Sequence, residues 1–224
     1  MSSSASASEG PFVVVRELSK RFGGDWALAR ASFSLQAGSM ALLTGANGSG
    51  KTTLIRCLST ALAPDFGSAT VGGRDIVSER DRVRPQIASL GHPAGFYGGL
   101  SARENLLLTF RALGLTREES IDEALRRVGL ARREGTPLDE LSSGLRQRVS
   151  LARLLVLQRR LVLLDEPETH LDASGLALLQ ELMVEWKARG TAIVCATHAP
   201  ERFQTSSDAE IRLMAGRPEG LERP

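Results

Sequence analysis

The sequence of 224 residues lacks any apolar stretch close to the roughly 20 residues that a membrane-spanning helix requires. The N-terminus, from Met1 to Gly10, is rich in serine and alanine and lacks the basic segment followed by an apolar one that marks a signal peptide. We therefore predict a disordered tail over residues 1–10. We also expect a cytoplasmic protein, for which any role at a membrane requires partner subunits.

Cysteine and excess charge are also scarce. The two cysteines, Cys57 and Cys195, lie in a predicted helix and a predicted apolar strand, which favours buried free thiols over a disulfide. With three histidines, they form no metal-binding spacing pattern. The net charge of +2 is too small to indicate a nucleic-acid partner. The composition is that of a globular protein, and the length suits one domain, with or without an inserted subdomain.

One stretch has a specific chemical pattern. Gly45-Ala46-Asn47-Gly48-Ser49-Gly50-Lys51-Thr52-Thr53 fits G-x-x-x-x-G-K-[ST], a phosphate-binding loop. Its glycines let backbone N–H groups converge on phosphate oxygens, where a Cβ would crowd them. Lys51 can reach the β- and γ-phosphates, and the Thr52 hydroxyl is placed to bind Mg²⁺. A predicted strand before the loop and a predicted helix after it favour this interpretation over a glycine-rich surface turn.

Two apolar runs predict strands of a parallel sheet that is buried on both faces. Residues 161–164 are followed by Asp165 and Glu166, and residues 191–197 are followed by His198. Ligands bind at the carboxyl ends of such strands. We therefore expect Asp165 to hold Mg²⁺ and Glu166 to orient or deprotonate a water molecule. His198 either hydrogen-bonds a γ-phosphate or merely starts a loop.

The alternation of strands and helices predicts a three-layer α/β core that follows an N-terminal antiparallel part. Phe22 and Trp26 lie in the predicted connection between the first two strands, where an aromatic ring either stacks on a nucleotide base or caps the core. We predict one domain over residues 11–214, with a core of residues 11–87 and 158–214. Residues 88–157 form an inserted helical subdomain without strands, and residues 215–224 form a flexible tail.

Capping patterns locate three helices of this segment. Ser101 with Glu104 and Thr116 with Glu119 predict two helix starts. The stretch Ser142-Ser143-Gly144 precedes a helical pattern that ends at Leu157. Hydroxyls and free N–H groups at this helix N-terminus are either an anion site or an ordinary serine cap, and the cap is favoured on local grounds.

Taken together, these stretches resemble the ATP-binding subunits of ABC transporters over nearly the whole chain, from Phe12 to Met214. The counterparts of the Walker A motif, the signature motif, Walker B, the D-loop and the switch histidine are residues 45–52, 141–148, 161–166, 171–172 and His198. Phe22 matches the aromatic residue that stacks on adenine in this family.

The resemblance implies an ABC ATPase with a P-loop NTPase (RecA-like) core, which uses ATP and Mg²⁺. In the family, two subunits sandwich two ATP molecules, so that residues 142–144 of one subunit complete the site that Lys51, Thr52, Asp165, Glu166 and His198 form in the other. A transmembrane permease docks a short helix between core and helical subdomain. The resemblance therefore implies a homodimer that is peripheral on the inner face of the cell membrane, without nucleic acid.

The sequence departs from the family pattern in two places. Ser143-Gly144-Leu145 stands where the signature motif has two glycines and a glutamine. Pro93 stands where the family has a glutamine that touches Mg²⁺ and the attacking water. Either His92 substitutes for that glutamine, or coupling and hydrolysis are slow.

Within the family, Leu90-Gly91-His92, Gly95 and residues 100–106 are similar to the ATP-binding subunit of the cytochrome c biogenesis haem exporter. Three alternatives remain open. These are another exporter ATPase (for drugs, lipids or antibiotics), a weakly hydrolysing regulatory module, and a non-transport ABC protein that acts on DNA or ribosomes. The last class carries coiled-coil insertions or tandem ATPase units, which this sequence lacks.

Overall fold

The structure is a computed structural model that describes residues 10–91, 95–115 and 118–214, together with the backbone of residues 217–222. The predicted disordered tail lies outside the described residues except for Gly10. His92 and Pro93, on which the predicted departure from the family pattern rests, lie outside them as well, as do Thr116 and Arg117.

Ten strands and six α-helices form within these residues. The strands are β1 Val13–Phe22, β2 Asp25–Leu35, β3 Met40–Thr44, β4 Phe66–Val71, β5 Arg74–Asp75, β6 Ile87–Leu90, β7 Leu161–Asp165, β8 Ala192–Ala196, β9 Ala209–Met214 and β10 Arg217–Glu222. The helices are α1 Lys51–Leu58, α2 Arg80–Val83, α3 Ala102–Ala112, α4 Glu119–Arg127, α5 Ser143–Leu157 and α6 Ala173–Ala188.

A six-stranded sheet in the order β10-β9-β3-β8-β7-β6 carries the core. All of its strands are parallel except β10, which pairs antiparallel with β9. Alternate residues of β3 face opposite sides, because side chains alternate along a strand. Met40 and Leu42 pack on the side of α5 and α6, whereas Ala41 and Leu43 pack on the side of α1 and the N-terminal sheet. The predicted three-layer α/β fold is therefore confirmed.

The N-terminal part is an antiparallel sheet in the order β2-β1-β4-β5. Phe22 and Trp26 were expected in a connection between strands, but they belong to β1 and β2. Phe22 pairs with Asp25, and only Gly23 and Gly24 form the turn. The prediction was wrong because the strands continue to the tip of the hairpin, where their side chains are exposed and show no burial pattern.

Two short strands contradict the predicted boundaries. β6 lies in the segment expected to be helical, at the sheet edge, where it pairs with β7. β10 lies in the expected flexible tail and pairs with β9. Both segments are stabilised by a ladder of backbone hydrogen bonds, β6 to the distant strand β7 and β10 to the strand β9 that directly precedes it. The composition of the two segments does not reveal this pairing. The predicted start of the helical subdomain at residue 88 is therefore too early.

The capping predictions fared differently. Ser101 and Glu104 form the predicted capping box at the start of α3. The predicted box of Thr116 and Glu119 depends on Thr116, which lies outside the described residues. Helix α4 begins at Glu119 after Glu118, whose side chain makes no capping bond. Among the described residues, no helix is both long and apolar enough to cross a bilayer.

Candidate nucleotide-binding site

The phosphate loop connects β3 to α1 and depends on glycine for its shape. Gly45 has a φ of 137°, and a Cβ there would lie 2.2 Å from the Leu213 carbonyl oxygen of the neighbouring strand β9. A side chain at this position would therefore displace either the loop or the edge of the sheet. Glycine at position 45 lets the loop pack directly against β9, so that the loop lies at the carboxyl end of β3.

The N-terminus of α1 is open to an anion. Gly50 occupies the N-cap position with a φ of 101°, and no side chain accepts a hydrogen bond from the first-turn N–H groups. The Nζ atom of Lys51 folds back over the loop and donates to the carbonyl oxygens of Gly45 at 2.8 Å and Ala46 at 3.2 Å. Burial lowers the pKa of Lys51, while the charges of Glu166 and Asp165 oppose this shift. The free N–H groups and the ammonium group form an electropositive cradle.

Ser49 tests whether the loop suits a phosphate group. Its Oγ atom is buried and has no hydrogen-bond partner among the described residues. A buried hydroxyl without a partner is costly, and a ligand oxygen would supply the missing bond. Beside it, residues 45–49 and 212–214 line a cavity of about 260 Å³. The loop residues therefore fit a phosphate-bearing ligand.

Thr52 and Asp165 meet across the strand ends. The Thr52 hydroxyl donates to Oδ1 of Asp165 at 3.2 Å, although the two residues follow different strands, β3 and β7. Burial raises the pKa of Asp165, although the hydrogen bond from Thr52 opposes that shift. A hydroxyl and a partly desolvated carboxylate are hard oxygen ligands, and they suit Mg²⁺.

Glu166 and His198 form a second pair next to the first. Oε1 of Glu166 lies 2.5 Å from Nε2 of His198, and both side chains are about two-fifths exposed. Glu166 adopts a left-handed backbone with a φ of 51°, and its N–H donates to the Ala196 carbonyl at 2.8 Å. A carboxylate held in this way beside an imidazole can orient a water molecule or accept its proton.

Sheet topology explains why these groups meet. β3, β8 and β7 are neighbouring parallel strands, so their carboxyl ends form one edge. The loop, His198 and Asp165-Glu166 follow these three strands in that order. The prediction that they share one site is consistent with this arrangement, whereas their individual catalytic roles stay predictions.

Residues 142–144, at the start of α5, are separate from the phosphate loop of their own chain. Ser142 is the N-cap of α5, and its Oγ accepts from the Leu145 N–H at 3.3 Å. A Cβ at Gly144 would lie 2.8 Å from the His170 carbonyl oxygen, so the helix start packs closely on the segment after β7. No hydrogen bond among the described residues joins residues 142–144 to the phosphate loop. The chain therefore shows a serine cap here, and an anion role requires a ligand from elsewhere.

Phe22 lies at the tip of the β1–β2 hairpin and is 52% exposed, which excludes the core-capping alternative for it. Trp26 is also exposed, but its ring lies 5.9 Å from the Phe66 ring and 5.1 Å from the Arg21 guanidinium. Lys20 Nζ lies 5.8 Å from the Phe22 ring centroid, but no aromatic ring packs against Phe22 among the described residues. Phe22 therefore offers the more accessible ring of the two for stacking on a base.

Sequence reasoning missed the residues that hold α5 against the site. Gln147 Nε2 donates to the Pro167 carbonyl at 3.0 Å, directly after Glu166. Arg148 contacts Asp172 at 2.9 Å and Ser174 at 2.6 Å. Gln147 is a polar residue buried on an otherwise apolar face, which was the only available signal.

Comparisons with known proteins agree with this geometry. The family model described as "ABC transporter" matches residues 28–169. The cytochrome c biogenesis ATP-binding export protein CcmA of Salmonella typhi is 38% identical over 185 residues, which cover 83% of this chain and 88% of the relative. CcmA of Escherichia coli K12 is 37% identical over 182 residues, with coverage of 81% and 86%.

A solved structure described as the ATP-binding subunit of an ABC transporter superimposes with a TM-score of 0.88. It shares 28% sequence identity and covers 95% of this chain and 90% of its own. The family match spans more than half of the chain and includes the phosphate loop, the signature stretch and Asp165-Glu166. The chain therefore belongs to the ABC transporter family, as an ATP-binding subunit that hydrolyses ATP to drive transport.

Proposed function

We propose that the chain drives export through a membrane permease in cytochrome c biogenesis, with haem as the exported substrate. The relatives from Salmonella typhi and Escherichia coli are named as cytochrome c biogenesis ATP-binding export proteins, which supports a role in export for cytochrome c biogenesis. Haem as the substrate is proposed from the resemblance of Leu90-Gly91-His92 and residues 100–106 to the ATP-binding subunit of the haem exporter. The chain would act in the cytoplasm on the inner face of the cell membrane, without a nucleic-acid partner.

The observation that carries the ATPase chemistry is the meeting of Thr52 with Asp165 beside Glu166 with His198. The loop N–H groups and Lys51 bind the β- and γ-phosphates, and Thr52 and Asp165 would hold Mg²⁺. When bound, Mg²⁺ neutralises charge on the phosphate oxygens. Glu166 orients the attacking water and accepts its proton, while His198 stays hydrogen-bonded to Glu166 and reaches the γ-phosphate.

A second copy of the chain would complete each site with Ser142, Ser143 and Gly144. The hydroxyls and the remaining first-turn N–H groups at the start of α5 would suit phosphate oxygens, although the Ser142 side chain already caps the Leu145 N–H. Since these residues make no hydrogen bond to the phosphate loop of their own chain among the described residues, the partner's nucleotide is the proposed ligand. Two-fold symmetry would then generate two equivalent sites.

The permease would dock a short helix beside α3. Tyr97 and Leu108 are large apolar side chains that stay exposed there. The segment of Tyr97 is held against α3, because the Asn105 side chain accepts from the Tyr97 N–H at 2.8 Å. An amphipathic helix would cover such a surface with its apolar face.

A weakly hydrolysing module is the second candidate, and Pro93 in place of the family glutamine favours it. ATP turnover by the purified chain separates the two, with Lys51→Ala as the control that removes the side-chain cation of the loop. We expect Lys51-dependent turnover. Purification of the chain from native membranes should also recover a permease of the haem-export type. A permease of another exporter class would overturn the substrate but not the ATPase site.

A further inference from the structure

Thr197 is a buried residue that precedes His198, and its hydroxyl both accepts and donates a hydrogen bond. The residue is 1% exposed. Its Oγ1 accepts from the Ala199 N–H at 2.9 Å, which closes a turn around His198. The same hydroxyl donates to Oε1 of Glu168. Both atoms of the hydroxyl group are therefore used, and the loop that carries His198 is tied to a carboxylate of another segment.

That segment also carries Glu166. Glu168 is two residues further along, and the turn between them is closed by a bond from the Thr169 N–H to the Glu166 carbonyl at 3.1 Å. The Glu166 N–H donates to the Ala196 carbonyl at 2.8 Å, at the end of β8. The two segments are thus joined twice, once through the backbone of Glu166 and once through the side chain of Glu168.

Glu168 is an unexpected residue for a purely structural role. Its Oε2 atom is buried and has no hydrogen-bond partner among the described residues. An unsatisfied buried carboxylate oxygen costs free energy, whereas an apolar side chain in this position would not. The contribution of Glu168 is therefore not packing, and its hydrogen bond with Thr197 indicates that it holds the loop of His198 in place.

We propose that Glu168 and Thr197 are positioning residues, which hold His198 against Glu166 in the geometry needed for hydrolysis. This inference rests on the proposed roles of Glu166 and His198. Those two side chains are partly exposed, so water competes for their hydrogen bond. The Glu168–Thr197 bond is partly buried, with Thr197 only 1% exposed, and hydrogen bonds are stronger where water is partly excluded. It joins the two segments from which the reacting side chains project.

The first test compares two threonines at opposite ends of β8. Thr197→Val keeps the shape of the side chain but loses both hydrogen bonds, and Thr197→Ser keeps the hydroxyl. Thr191→Val is the matched control, because Thr191 is also buried and bonds a carbonyl, that of Arg159, at the far end of the strand. We expect kcat for ATP to fall about tenfold in Thr197→Val and Glu168→Ala, since misplacement of reacting groups has costs of this order or more. KM should stay unchanged, and Thr197→Ser should retain activity within about twofold.

The second test asks whether the effect passes through His198. In a His198→Ala background, single-turnover hydrolysis should show no further loss when Thr197→Val is added, because the group to be positioned is gone. A further loss of the full tenfold would overturn the proposal and indicate general destabilisation. An equal loss of kcat in Thr191→Val would overturn it as well.

A third measurement does not depend on turnover. The chain has three histidines, so ¹H–¹⁵N NMR of the full chain would be used to record their ring signals, with His198→Ala to assign those of His198. We expect Thr197→Val and Glu168→Ala to move the His198 signals and to leave those of His170 in place. Unmoved His198 signals would overturn the inference. If Glu166→Gln and His198→Ala instead keep full activity, the proposed function fails, and the NMR result still decides whether Glu168 and Thr197 position the ring.

Discussion

Nε2 of His198 lies 2.5 Å from Oε1 of Glu166, and this contact joins the ends of two neighbouring parallel strands, β8 and β7. The pair leaves the second oxygen of Glu166 available for a water molecule. A carboxylate at this position can act as a base, whereas an amide of the same shape cannot.

Glu166→Gln should bind ATP but hydrolyse it about 10²- to 10⁴-fold more slowly, which is the usual contribution of a general base. If ATP bridges two chains, slow hydrolysis should also shift the variant from monomer to a two-fold dimer by mass action. Light scattering after size exclusion, with and without ATP, measures the shift. Adding Ser142→Arg should abolish the dimer, because it places bulk and charge at the start of α5. A Glu166→Gln protein that binds ATP but stays monomeric would contradict dimerisation by the isolated subunit.

Phe22→Ala should weaken ATP binding by about 1–3 kcal/mol if the exposed ring stacks on adenine. GTP should lose a similar amount, because stacking tolerates different bases. Equilibrium titration with a fluorescent nucleotide measures both affinities. Trp26→Ala is the control, since its ring already contacts Phe66 and Arg21. Equal losses in the two variants would argue against a specific role for Phe22.

The Arg127 guanidinium on α4 binds the carboxylate of Glu185 on α6 with two hydrogen bonds, of 3.1 and 2.6 Å. A double-mutant cycle with alanine at both positions should give a coupling free energy of about 1 kcal/mol by chemical denaturation, because the pair is bidentate and only partly exposed. The control cycle is Arg126 with Glu123, an exposed pair within α4, which should couple by about half of that or less. Similar coupling free energies for the two pairs would show that the bidentate geometry of Arg127 and Glu185 adds no stability.

The hydrogen bonds from Arg127 also lower the pKa of Glu185 below its ordinary value of 4.5. Because the folded pKa is lowered, the pair contributes its full stability above the ordinary pKa, and this contribution is lost as the pH falls through the folded value. The measured coupling should therefore disappear in strong acid and stay constant between pH 6 and pH 8.

The two thiols should be silent in the folded protein. Burial raises the pKa of the Cys57 thiol to about 11, and burial raises that of Cys195 well above its ordinary value. At pH 8 only about one Cys57 in a thousand is a thiolate, the form that reacts. A colorimetric disulfide reagent should therefore titrate neither thiol in the native chain and both in guanidinium chloride. Fast reaction of one thiol under native conditions would show local opening around it.

The raised pKa of Cys57 also affects how the stability of the protein depends on pH. The folded pKa is raised above the ordinary value of 9.0, so the folded state retains the proton longer than the unfolded state does. The associated stability is fully present below pH 9 and is lost as the pH rises toward about 11. Replacement of Cys57 by Ala should flatten this alkaline decline, which thermal unfolding at several pH values measures.

Local signals in the sequence were enough for the central elements. β3, β7 and β8 are short apolar runs that end at polar residues, and the structure places them where these runs predict. The rule that parallel strands present ligands at their carboxyl ends was enough to bring Thr52 and Asp165 together. The capping box at Ser101 was visible because all of its atoms lie within four residues.

Features that depend on contact with another segment of the chain were not visible. β6 and β10 exist because they pair with β7 and β9, and their own sequences carry weak strand patterns. The hydroxyl of Ser49 has no partner because the fold buries it, and the bond between Glu168 and Thr197 forms because the fold brings two separate segments together. No periodicity in the sequence encodes either of them.

Ser142 caps helix α5, and in the proposed dimer it meets the nucleotide of the other subunit. Only five residues later, Gln147 grips the carbonyl of Pro167, the residue next to Glu166. The N-terminal part of α5 therefore links the two proposed sites, because its cap would meet the partner's nucleotide while Gln147 contacts the segment of Glu166 in its own chain. In the proposed dimer, nucleotide binding at one site would therefore shift residues at the other site, so that the two hydrolysis events would be coupled.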